Sequence, residues 1–136
     1  MSDRFVIVSV DRGRQLELRG DIPRGLTGYD GCTFTAKLTG PGLEAAVDVY
    51  DINPERWTKL FRALAQDWRG WRGERSLESL EGHLRLACTA DRTGHITFGV
   101  RLRHMVIGDD WRVDAELHVE AGQLDGLADE AAAYFG

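Results

Sequence analysis

"WRVDAELHVE", residues 111–120, alternates apolar and polar side chains without a break. Trp111, Val113, Ala115, Leu117 and Val119 fall on one side, and Arg112, Asp114, Glu116, His118 and Glu120 on the other. Successive side chains of a β-strand point to opposite faces, so this period predicts a strand with one face in a core and one in water. A strand of a doubly covered parallel sheet reads as apolar throughout, and the wet face therefore predicts antiparallel pairing.

The same pattern recurs along the chain. "GHITFGVRLR" (94–103) turns Ile96, Phe98, Val100 and Leu102 inward, and "GHLRLACTA" (82–90) does so with Leu84, Leu86 and Cys88. The short, turn-rich junction between them predicts a hairpin. Four further candidates precede these, "RFVIVSV" (4–10), "RQLELR" (14–19), "CTFTAKLTG" (32–40) and "LEAAVDVYD" (43–51). "DRGR" (11–14) and "TGPG" (39–42) supply tight turns, and "GDIPRGLTGYDG" (20–31) reads as a longer loop.

Two stretches change to helical spacing. "NPERWTKLFRALAQDW" (53–68) offers Asn53 as N-cap and Pro54 at the first helical position, followed by Trp57, Leu60, Phe61, Leu64 and Trp68 on one stripe. "AGQLDGLADEAAAYFG" (121–136) lines up Leu124, Leu127, Ala128, Ala131 and Phe135, with Gly126 costing about 1 kcal/mol relative to alanine. The order is ββββ-α-βββ-α. Both stripes need cover, so the expected fold is a single α+β domain over residues 1–136. It has two layers: a mainly antiparallel sheet of about seven strands and two helices on one of its faces. No sequence repeat is present.

A chain of 136 residues with 43% hydrophobic content can bury a full core. The net charge of −5 is unevenly spread, because residues 104–136 hold one arginine, Arg112, against eight carboxylates. Nucleic acid is a poor partner for such a segment, which lacks the clustered Lys and Arg that neutralise phosphates. A basic protein partner suits it better, with Asp109, Asp110, Asp114 and Glu116 as the docking charges. The N-terminal apolar run is too short for a secretory signal or a membrane span, and a cytoplasmic location without membrane partners is expected.

Motifs for chemistry are missing. Four histidines stand without HxxxH, HExxH or HxH spacing, which gives no reason to expect a metal. There is no GxSxG elbow and no phosphate-binding glycine loop, and the aspartate pairs read as solvated charge, so neither an enzyme nor a cofactor is expected. Cys32 and Cys88 lie far apart inside apolar segments and read as buried free thiols. "WRGWRGERSLESLEG" (68–82) reads as a connector: Trp68 completes the helical stripe, Gly70 can cap it, and Trp71 either folds back over the helix end or stands exposed beside Arg72 as a partner anchor.

The run from that connector through residues 82–103 to the final strand and helix resembles an uncharacterised family of small bacterial proteins of unknown function. More distantly, it is similar to the WapI-type immunity proteins that neutralise toxins. The likeness rests on the tryptophan-glycine connector, Gly94-His95 opening a strand, and a tryptophan-bearing strand followed by a GQL helix. It implies a non-enzymatic module that binds a toxin domain, and the acidic last quarter makes a basic one the expected partner. Two alternatives stay open: a small-molecule pocket or enzyme lined by Trp57, Trp68, Trp71 and Trp111, and a homodimer built on an unpaired edge strand.

Overall fold

A computed structural model describes residues 2–136. Strands β1 (Arg4–Val8), β2 (Gln15–Arg19), β3 (Gly31–Gly40) and β4 (Leu43–Ile52) precede helix α1 (Glu55–Gln66). Strands β5 (Arg75–Glu78), β6 (Leu84–Ala90), β7 (His95–Val106) and β8 (Asp109–Glu120) then lead through a short 3-10 turn into α2 (Leu124–Phe135). All strand pairs are antiparallel between sequence neighbours, giving two four-stranded meanders, β1-β2-β3-β4 and β5-β6-β7-β8.

The α+β class and the antiparallel pairing agree with the sequence; the single seven-strand sheet does not. There are two sheets, and the eighth strand is β5, inside the stretch expected to be only a connector. Arg75–Glu78 presents a single apolar residue, Leu77, so a four-residue edge strand leaves almost no alternation to read. The element order is thus ββββα twice over, a repetition of topology without repetition of sequence.

The inner faces of both sheets meet on the helices in one core. Phe61 of α1 touches Phe5 of the first sheet, with ring centroids 5.1 Å apart, and Phe98 of the second at 5.8 Å. Phe135 of α2 packs on Phe34 and stacks on Trp57. Helix packs on helix as well, and Thr58 donates from its hydroxyl to the Ala131 carbonyl across that contact. Cys32 and Cys88 are both buried and unpaired by disulfide, and burial pushes the Cys88 thiol up to about 12.

Two local expectations need correction. Asn53 makes no side-chain cap; it sits at φ +49°, a conformation asparagine tolerates, and its carbonyl accepts the first helical bond from Arg56. The work of fixing the helix start falls to buried Asp51, which accepts hydrogen bonds from the Arg56 and Trp57 side chains. The helix also ends at Gln66, so Trp68 lies outside the stripe, half exposed, with the Arg69 guanidinium 5.0 Å over its ring.

Candidate functional site

The second sheet carries every acidic residue expected to dock a partner, on β8. Here β7 and β8 pair over their full length, Val106 opposite Asp109, leaving only Ile107 and Gly108 in the turn. β6, in contrast, stops pairing with β7 at Leu102, and one more bond, from Arg103 N–H to the His83 carbonyl, ends its support. Residues 104–111 therefore project past the sheet as a two-stranded ribbon. A lone ribbon is marginal in water. This one is braced by His104 stacking on Trp111, with centroids 5.5 Å apart, and by His104 Nε2 lying 3.3 Å from an Asp109 carboxylate oxygen.

The tip of that ribbon is apolar where turns are normally polar. Ile107 is fully exposed and Val106 half exposed, with Asp109 and Asp110 exposed beside them. Asp114 and Glu116 are placed differently, further down β8 on the outer face of the sheet. Asp114 is held between Arg101 Nε at 2.8 Å and Arg112 Nε at 2.9 Å, and Glu116 lies across from Gly99. The eight carboxylates of the last quarter do not merge into one acidic face, because β7 interleaves arginines with those of β8 and three others, Asp125, Asp129 and Glu130, ride on the exposed side of α2.

Trp71 and Arg72 are not brought to this tip. They precede β5, the opposite edge of the sheet from β8, about 14 Å away by three strand spacings. Trp71 folds back: its indole N–H donates to the Cys88 carbonyl at 3.1 Å, and Arg75 lies 5.2 Å over its ring. Arg75 also pairs with Asp67 and donates to the Ala63 carbonyl, closing the end of α1. The connector is pinned by aromatic and cation contacts, while Arg72 stays exposed.

Nor do the four tryptophans line one pocket. Trp57 is fully buried in the core, Trp68 is at the helix end, Trp71 leans on β6 and Trp111 belongs to the ribbon. Val106 and Ile107 escaped sequence reasoning, although an apolar pair directly before Gly108-Asp109 was the available signal.

The two sheets meet edge to edge beside this face. Val10 N–H donates to the His118 carbonyl at 2.7 Å, His118 N–H donates to Ser9 Oγ, and Asp11 takes the His118 imidazole at 2.9 Å. The hydrogen bond with His118, followed by that from Ser9, lowers the Asp11 pKa. The seam brings the β1–β2 turn, with Arg12 and Arg14, over the outer face of β7 and β8; Arg14 donates to the Glu116 carbonyl. Among the described residues no group of three or more His, Cys, Asp or Glu side chains is placed to hold a metal ion, and no helix is long and apolar enough to cross a membrane.

These features define a twinned ββββα protein with an apolar-tipped hairpin. The chain belongs to the DUF6228 family, a family of unknown function, whose model matches residues 8–136. No curated protein and no solved structure matches the chain, and the comparisons give no support to the WapI-type likeness.

Proposed function

We propose that this protein is a non-enzymatic binding module, immunity-like in role, that engages a basic protein partner with the tip of the β7–β8 hairpin. One observation carries the reading: the hairpin outruns its sheet and presents Val106 and Ile107 to water at its turn, followed directly by Gly108 and the exposed pair Asp109 and Asp110. An aliphatic side chain left in water forgoes about 1.5–3 kcal/mol that burial would return, so the tip favours an apolar socket. Two carboxylates at its rim speed the approach of a basic surface and weaken with salt. Asp114 and Glu116 contribute less to such steering, since Asp114 is already neutralised by two arginines.

The test places a photo-crosslinking amino acid at position 107 in the native cells, with a control at Arg92 in the β6–β7 turn. A single adduct with a basic protein, formed at 107 alone and lost in the Asp109→Asn/Asp110→Asn variant, is the expected result. Equal labelling at both positions overturns the reading.

A further inference from the structure

A bowl of about 390 Å³ lies on the outer face of the second sheet, away from the hairpin tip. Its rim holds Arg12 and Arg14 from the β1–β2 turn and Arg85 and Arg101 from β6 and β7, and its floor is Ala87 opposite Gly99. These residues come from segments more than seventy positions apart and converge only because the sheet edges meet at the seam.

The floor is open without a steric reason. Gly99 lies in the middle of β7 with ordinary extended backbone, and a Cβ built there would sit 3.4 Å from the Ala87 carbonyl oxygen and 3.7 Å from the Ala87 Cβ. Glycine in a strand interior weakens the strand and recurs where a ligand approaches the backbone closely. Arg12, in turn, holds φ +60°, a left-handed conformation that costs a residue with a Cβ about 1–2 kcal/mol.

Charge points the same way. Four guanidinium groups line the bowl against two carboxylates, Asp114 and Glu116, in a chain of net charge −5. Arg85 is engaged by Glu74 and Arg101 by Asp114. Arg14 is held by a carbonyl instead, and Arg12 reaches Asp11 only at 4.0 Å, so these two keep their charge for a ligand.

We propose that the bowl binds the phosphate group of a small metabolite, with Arg12 and Arg14 as the phosphate ligands and Gly99 as the flat seat for its uncharged body. Guanidinium forks match phosphate oxygens two at a time. The volume lies within the range of small-molecule sites, roughly 300–1,000 Å³. A nucleic acid is disfavoured, because two carboxylates, Asp114 and Glu116, share the lining with the arginines.

The experiment titrates phenyl phosphate into isotope-labelled protein and follows backbone and arginine Nε–H resonances at constant ionic strength. Saturable shifts at Gly99, Ala87 and Arg14 are expected, and Arg14→Ala should weaken binding about tenfold or more, the loss of one charge-assisted hydrogen bond. Gly99→Ala, which the space accommodates, should keep the fold and weaken the ring-bearing probe more than inorganic phosphate. Shifts that never saturate, or that sodium chloride reproduces, overturn the proposal. So does tighter binding of a phosphoserine peptide than of phenyl phosphate, which would make the occupant a phosphorylated protein. Ile107→Ser leaves this titration unchanged, so its outcome is separable from that of the hairpin.

Discussion

The indole N–H of Trp57 donates a 2.8 Å hydrogen bond to Oδ2 of Asp51, and neither residue has exposed surface. The other carboxylate oxygen accepts from Ile52 N–H, from Arg56 and from Leu80 N–H. A single buried side chain thus joins the end of β4, the first turn of α1 and the loop between β5 and β6, which belong to different sheets. Asp51→Ala leaves an indole, a guanidinium and two backbone amides without this acceptor, and should cost about 3–5 kcal/mol in urea unfolding. A loss below about 1 kcal/mol would mean that water replaces the carboxylate.

Legibility of the fold followed the strength of its period. β8, with five inward and five outward side chains in sequence, could be read directly, and so could the helical stripe of Trp57, Phe61 and Leu64. β5 could not, because one inward leucine makes no period. The division into two sheets was also hidden, since alternation reports which face of a strand is buried and says nothing of where a meander stops. The bowl was least accessible of all: it depends on Arg12 and Gly99 meeting across a seam that backbone groups of Val10 and His118 close.

Tyr134 is buried against Phe34 and Phe135, and among the described residues its hydroxyl has no hydrogen-bond partner. Burial raises its pKa further above the usual tyrosine value, so the group stays neutral. An unmet buried hydroxyl is a cost, and removing it costs little where the ring packing is kept. Tyr134→Phe is expected to leave unfolding free energy unchanged or raise it by up to about 1 kcal/mol. A loss above that in urea denaturation would reveal a partner for the oxygen.

Acid sensitivity should be concentrated in two turns. Asp91 accepts from the backbone N–H groups of His95 and Thr93, and those bonds hold its carboxyl well below the usual range; Asp11 is lowered by His118 and Ser9. For a carboxyl depressed by folding, the stabilisation is complete above the unfolded pKa and is lost as pH falls through the folded one. Wild-type protein should therefore exceed Asp91→Asn in Tm at neutral pH, with the two curves converging between about pH 4 and pH 2. Parallel curves over that window would remove the assignment.

The hairpin tip makes the sharpest separation between stability and function. Ile107 is fully exposed and has no core contact to lose, so Ile107→Ser should change unfolding free energy by less than about 0.5 kcal/mol. In the partner complex the same change removes an anchor, and truncation at a hot spot typically costs about 2 kcal/mol or more, a fall in affinity of about thirtyfold. Asp109→Asn/Asp110→Asn should act on a different parameter. These exposed carboxylates steer encounter, so their loss should slow association and flatten its salt dependence while dissociation stays nearly constant. Surface-bound kinetics with the crosslinked partner measure both. A slower association for Ile107→Ser with unchanged dissociation would show that the tip guides approach and does not insert.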